Sequence, residues 1–453
     1  MPPVPQRALL VDARFSRFLL GFGGLALILG FAALGPASPA AFAILGIPLL
    51  GVLLLLLKLK LEWTIPVSAL LLLTPQFRPG LYVFDAAVIF LSMAAIWRTV
   101  SSPHREAWDI RGPGWIALLF LLAPVAALPM HVTSYWSYLG SYKVLLAFVL
   151  VFHSVRRLLN PQNCDWLLWT FPIVGTAAAI QLLVKTQGIG GRLFMQLDFR
   201  TFYTFLGWGR SNYIAALLAL CLLGTLLLGV IDRRNWVRLA LAGASLLMLQ
   251  AFVLLFSRAA TVSLAIGILI VVVGLSGRRA FLAALGSGVL GLLFLSTRGG
   301  QVILERFADP REYLSWYDRF RLWEGAWSRF LANPWTGIGL NQGRYQLDKM
   351  AGADAHNFAL TMLMEQGLLG AVALGAWGYG MLKIWRRFRP RNPQLDARTV
   401  RVAVLAAVVA PLVNASAEPT ITGYVVGILY VLLLSWLVLQ DSPRPGSVSA
   451  LRK

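Results

Sequence analysis

Long apolar blocks separated by short polar connectors repeat along nearly the whole chain, and the blocks lack the strict alternation that a membrane barrel strand requires. Ala41–Leu57, Trp166–Val184, Val237–Phe256, Ala259–Leu275 and Phe358–Trp385 approach the roughly 20 residues that carry a helix across about 30 Å of hydrocarbon. The pattern predicts an all-α polytopic membrane protein of about 12–14 transmembrane helices. They fall near Arg17–Leu34, Ala41–Leu57, Trp63–Leu73, Val83–Trp97, Trp115–Leu128, Lys143–His153, Trp166–Val184, Ser211–Ile231, Val237–Phe256, Ala259–Leu275, Ala280–Leu295, Phe358–Trp385, Val402–Leu412 and Ile421–Val438. The first of these follows Arg7, Arg14 and Arg17 as a secretory signal would, but it is long and leads straight into another apolar run, so a retained helix is expected.

One stretch breaks the rhythm. Arg298 to Ala355 is a long polar island that ends at His356, on the lip of an apolar helix. Asp309-Pro310-Arg311-Glu312 reads as a helix start, with a cap residue, proline at the first helical position and an acid in the first turn. Trp316, Phe320, Trp323, Trp327 and Phe330 then recur at helical spacing until Asn333-Pro334 stops the run. Such a helix is expected to lie along the membrane interface, aromatics at headgroup level. The chain thus divides into N-terminal helices over 1–297 with a basic outer loop at 185–210, the island over 298–356, C-terminal helices over 357–440 and a tail over 441–453.

A net charge of +21 at first suggests nucleic acid, but its placement argues otherwise. Alternate connectors are strongly basic: the N-terminus, Lys58/Lys60, Arg98–Arg111, Arg156/Arg157, Arg233/Arg234/Arg238, Arg278/Arg279, Lys383–Arg401 and the tail. By the positive-inside rule these face the cytoplasm, so most of the charge is a topology signal and no nucleic-acid partner is expected. The remaining cations cluster on the other side. Lys185, Arg192, Arg200 and Arg210 share one outer loop with a single acid, Asp198, and Arg258 sits at the outer junction of two apolar runs. A guanidinium at the hydrocarbon edge either snorkels to water or meets an anion; the neighbouring basic loop favours anion binding, for which a planar fork suits phosphate oxygens. Arg319, beside the aromatic face of the island helix, is a further candidate.

Of the four histidines, His104 and His153 fall on the basic side and His131 in a short outer connector, so only His356 joins a substantial outer loop to a helix. A lone histidine there is ordinarily a cap or a packing residue; the cationic surface around it favours chemistry. Asn357 is expected either to cap the helix or to bind sugar, and Asp354 either to orient the imidazole or to solvate the loop. Glu365 is given no part in the reaction, being about half a turn from His356 in azimuth. Cys164 and Cys221 imply no disulfide framework. No Gly-rich phosphate loop and no outer set of metal ligands is visible, so arginines would have to neutralise any phosphate leaving group.

Arg319-Phe-Arg-Leu-Trp323, Asn333-Pro-Trp-Thr-Gly-Ile-Gly339, His356-Asn357 continuing to Glu365-Gln-Gly367-Leu-Leu-Gly370, and Ser257-Arg258 before an apolar helix together resemble the O-antigen ligase and polymerase superfamily of bacterial envelopes. The resemblance covers roughly residues 190–370. It implies a GT-C-like glycosyltransferase of the bacterial inner membrane, active at the periplasmic face without metal or other cofactor, that moves a glycan from undecaprenyl pyrophosphate to lipid A-core with inversion. It also implies His356 as general base and Arg258 as a pyrophosphate contact, helped by Arg192, Arg200, Arg210 and Arg319. O-antigen polymerase is the nearest alternative, protein O-oligosaccharyltransferase the next. A lipid-linked glycan flippase would carry charges through several helix midplanes, which this chain does not.

Overall fold

The computed structural model describes residues 65–66, 68–73, 84–101, 121–125, 134–159, 161–187, 206, 208–308, 311–347, 355–390, 392 and 394–440. Among these there is no strand. The helices are α1 (Phe84–Ser101), α2 (Tyr135–Leu158), α3 (Thr170–Thr186), α4 (Ser211–Ile231), α5 (Asn235–Val253), α6 (Arg258–Gly274), α7 (Gly277–Ser296), α8 (Arg298–Ala308), α9 (Arg311–Ala332), α10 (Phe358–Arg387), α11 (Ala397–Ala415) and α12 (Tyr424–Gln440). Short 3-10 segments lie at Ala69–Leu73, Pro161–Trp169 and Thr420–Thr422, and Gly343–Gln346 forms a single helical turn. Among the described residues seven spans are long and apolar enough to cross a membrane: α2, Pro161–Thr186, α4, α5, α7, α10 and α11; Phe84–Trp97, α6 and α12 are shorter apolar helices. The protein is an all-α polytopic membrane protein.

Two predicted helices, Arg17–Leu34 and Ala41–Leu57, lie outside the described residues, and Trp63–Leu73 and Trp115–Leu128 are described only in part. Two others are longer than their apolar blocks. α2 starts eight residues before Lys143 because the Ser134 side chain caps it, accepting from the Ser137 N–H, and α11 starts at Ala397 because Asp396 caps it. The island holds a helix that the sequence reading did not anticipate, α8, with Arg298 and Glu305 3.6 Å apart on its surface.

α4 sits at the centre, buried along most of its length, packed against α3, α5, α6 and α11. Helices approach closely where glycine removes the side chain: a Cβ on Gly224 would stand 2.3 Å from the Phe171 ring, and one on Gly267 2.9 Å from Leu223. α7 is the opposite case, with Phe281, Leu285 and Leu292 exposed, as a helix facing lipid requires. Cys164 and Cys221 are buried free thiols.

Cross-chain contacts fix the direction of each helix. Asp85 meets Tyr424, so α1 and α12 begin at the same end; Asn212 and Glu418 place the start of α4 beside the end of α11. At the other end Arg233 reaches Gln394 and Arg398 reaches the last carbonyl of α6, Gly274. Arg210, Arg258, Arg319 and His356 therefore gather at one end of the bundle, and Arg233, Arg234, Arg279, Arg398 and Arg401 at the opposite end.

Candidate functional site

The site is built where the island meets α10. α9 ends at Ala332, as Asn333-Pro334 predicts, and the segment after it folds back onto the middle of α10. α10 is interrupted at Gly367, whose φ of 61° and ψ of −153° leave helical backbone groups without their usual partners. The returning segment supplies them: Ile338 N–H donates to Met364 O (2.9 Å), Gly339 N–H to Glu365 O (2.9 Å), and Leu368 N–H donates to Pro334 O (2.7 Å). The approach leaves no room for side chains, since a Cβ on Gly337 would lie 2.4 Å from the Glu365 carbonyl carbon and one on Gly367 2.5 Å from that of Trp335. Two motifs thirty residues apart in the sequence, 333–339 and 365–370, are thus one backbone joint.

α9 packs on α10, with Ala326 in one buried cluster with Met364, Ile338 and Ala355; Phe330, one turn on, is also buried. Phe320 and Trp327 are exposed, so among its described side chains the aromatic stripe divides: Phe330 is core, and part remains on the surface. The Trp323 indole N–H donates to Ala355 O at 2.9 Å, holding the residue just before His356.

His356 has a left-handed backbone, φ 47°, in a region that side chains other than glycine rarely enter. Asn357 caps α10, its side-chain oxygen accepting from Leu360 N–H at 3.1 Å. The His356 Nδ1 stands 3.3 Å from Oε2 of Glu418, in the short connector between α11 and α12. The other carboxylate oxygen accepts from Arg319 Nη2 at 3.1 Å and from Asn212 Nδ2 at 3.2 Å. Four elements therefore converge on one carboxylate: α9, the start of α10, the start of α4 and the α11–α12 connector.

That connector is itself held firmly. Glu418 N–H donates to Asn414 O, Asn414 Nδ2 donates to the Thr420 hydroxyl at 2.7 Å, and the Tyr424 hydroxyl donates to Asp85, which is paired with Lys143 at 2.6 Å. Tyr213 of α4 packs against Gly423, where a Cβ would meet the ring at 2.4 Å.

Arg258 is the first residue of α6, partly buried, behind a buried Phe256 whose φ is 50°. Arg210 is exposed and precedes α4. The N-termini of α4, α6 and α10 thus open at the same end as these guanidinium groups, an arrangement that favours anions. Arg192, Arg200 and Asp354 lie outside the described residues.

A cavity of about 340 Å³ lies between α2, α10 and α12. Its lining is mostly apolar and includes Phe358, Pro419 and Tyr213, each within two residues in sequence of His356, Glu418 or Asn212. Thr361 Oγ1 and Gln366 Oε1 are buried at its wall with no hydrogen-bond partner among the described residues.

Sequence reading missed Glu418. The available signal was a lone acid in a short connector between two apolar runs, at the hydrocarbon edge, where an ionisable group is costly unless it is paired.

Residues 243–375 match the sequence family described as O-antigen ligase. No curated protein matches the chain. The matched segment contains Arg258, α9 with Arg319, the 333–339 joint, His356 and the Gly367 break, and so supports the likeness to the O-antigen ligase superfamily over that part of the chain.

Proposed function

We propose that the protein is an O-antigen ligase, transferring a glycan from undecaprenyl pyrophosphate to a sugar hydroxyl of lipid A-core at the periplasmic face of the bacterial inner membrane. The match over residues 243–375 supports a glycosyltransferase-like protein of the O-antigen pathway, acting on a lipid-linked glycan and a lipid acceptor. The finer reading is carried by one observation: a histidine with strained backbone sits against a buried carboxylate at the same bundle end as Arg258.

The chemistry follows from those groups. A neutral imidazole, with an ordinary pKa near 6.5, takes the proton of the acceptor hydroxyl as its oxygen attacks the anomeric carbon of the donor. The carbon–oxygen bond to pyrophosphate breaks on the opposite side, so the anomeric centre inverts. Arg258, with Arg210, Arg192 and Arg200, stabilises the charge that accumulates on the departing pyrophosphate, and Arg319 adds a further guanidinium beside His356. Guanidinium groups thus serve where other glycosyl transfers use a divalent ion. The basic connectors gathered at the far end of the bundle support a periplasmic site by the positive-inside rule.

His356→Ala in the purified protein, assayed with lipid-linked donor and lipid A-core, tests this reading. Turnover is expected to fall by about 10²- to 10⁴-fold while donor binding persists. Near-wild-type turnover at equal abundance excludes His356 as the base. Lipopolysaccharide from a deletion strain separates ligase from polymerase: bare core with accumulating lipid-linked polymer indicates a ligase, core bearing one repeat a polymerase.

A further inference from the structure

We infer that Glu418 is the positioning residue of the base: its Oε2 accepts the Nδ1–H of His356, fixing the tautomer whose lone pair is on Nε2, while Arg319 and Asn212 hold the carboxylate by Oε1. The inference rests on the reading of His356 as general base and adds a residue, with a role, to that site.

The geometry separates the two carboxylate oxygens. Oε1 takes Arg319 at 3.1 Å and Asn212 at 3.2 Å; Oε2 faces the imidazole at 3.3 Å. Glu418 is 9% exposed, so its charge acts where water screens it little. A carboxylate serving only to latch α9 to the membrane helices would be satisfied by Arg319 alone and would not require a histidine in a left-handed conformation on its second oxygen. The strain at His356 is maintained from both sides, by the Trp323 bond to Ala355 O and by the Asn357 cap. The carboxylate is fixed in turn by the Asn414–Thr420 bond and by Tyr424, Asp85 and Lys143 flanking its connector.

In the reaction, the acceptor O–H bond breaks and its proton passes to Nε2 as the acceptor oxygen bonds to the anomeric carbon. The electron pair of the broken carbon–oxygen bond leaves on pyrophosphate. The ring is then an imidazolium, with Nδ1–H still on Glu418, whose negative charge stabilises it; the Nε2 proton later passes to solvent. Glu418 gains no proton at any step. Its contribution is tautomer, orientation and charge.

Glu418→Gln in the full-length protein tests this. The amide keeps an oxygen for Arg319 and Asn212 but loses the charge, and its N–H can donate to Nδ1 and so enforce the wrong tautomer. In serine-protease triads the same carboxylate-to-amide change costs about 10⁴-fold in kcat. Turnover is expressed per donor-binding molecule, so a variant that accumulates poorly is still read. Glu418→Gln is expected to lower kcat by about 10²- to 10⁴-fold with donor KM within about threefold of wild type, and Glu418→Asp to regain at least tenfold of that loss. A Gln variant within threefold of wild-type kcat overturns the inference. So does equal loss in the Gln and Asp variants, or a donor KM that rises as far as kcat falls, because each marks a packing role. If His356→Ala itself turns over normally, the base assignment fails and Glu418 falls with it; an inactive His356→Ala beside an active Glu418→Gln removes Glu418 alone.

Discussion

The two ends of the helix bundle use arginine in different ways. At the end away from His356, arginines finish helices: Arg398 donates to Gly274 O (2.8 Å), Arg401 to Phe388 O (2.8 Å) and Arg238 to Asp232 O (2.9 Å), each a carbonyl at or beside a helix C-terminus. In its ion pairs the arginines are exposed. Arg234 bonds to Asp232 two residues away, lowering that carboxyl below its ordinary range, and Arg279 lies beside Asp396, which is lowered first by the Thr399 hydroxyl. At the His356 end, Arg319 crosses 99 residues of sequence to a carboxylate buried among four elements. Arginines near solvent, satisfied locally, read as topology and helix termination. A part-buried guanidinium–carboxylate pair drawn from distant elements, with a histidine on the same carboxylate, is costly to assemble and points to chemistry.

The His356 and Glu418 substitutions described above carry the largest expected effects and bear on the inner side of this contrast. Arg258→Lys comes next. An ammonium keeps the charge but cannot grip two phosphate oxygens at once, and loss of one charge-assisted hydrogen bond of about 1.5–3 kcal/mol corresponds to a loss of roughly 10- to 100-fold in kcat/KM. Wild-type kcat/KM in Arg258→Lys, at equal membrane abundance, would make this arginine equivalent to those of the opposite end and break the comparison.

Gly367→Ala probes the joint that carries the site. A methyl there meets the Trp335 backbone and forces an L residue to φ 61°, so destabilisation of more than about 1–2 kcal/mol is expected, with separation of the 333–339 segment from α10. Proteolysis within 333–347 and the melting temperature in detergent read it; an unchanged melting temperature shows that the joint is dispensable. The smallest effect belongs to the far end. Asp396→Ala removes the cap of α11, where Oδ1 accepts from Arg398 N–H, and costs about 0.5–2 kcal/mol with turnover unaltered. A large loss of transfer in this variant would show that the ends are coupled.

The helices were legible because each apolar block is long enough to declare itself without a partner. Ser211–Ile231 and Phe358 were placed at the boundaries the structure has, and the α9 start and stop were carried by Pro310 and Asn333-Pro334. Boundaries set by caps in polar flanks, at Ser134 and Asp396, were placed inward, because hydropathy weakens before helical hydrogen bonding ends. The aromatic stripe was visible, but its division into buried Phe330 and exposed Phe320 and Trp327 was not: a periodicity gives a face, and only the neighbouring helix decides how wide a strip of it is covered.

By itself the sequence determined that the chain is a bundle of membrane helices, that its cations fall into two sets, and that His356 stands where a polar segment meets an apolar helix. These are properties of composition and spacing, read along one dimension. Tertiary structure alone decided that Glu418 faces His356, that Arg319 shares that carboxylate, and that 333–339 closes the break at Gly367. Such contacts join residues 26 to 206 positions apart, and their register depends on how α4, α9, α10 and α11 pack together. Local pattern fixes where a helix begins; which side chain meets which across the bundle is set by close packing, to which every helix contributes.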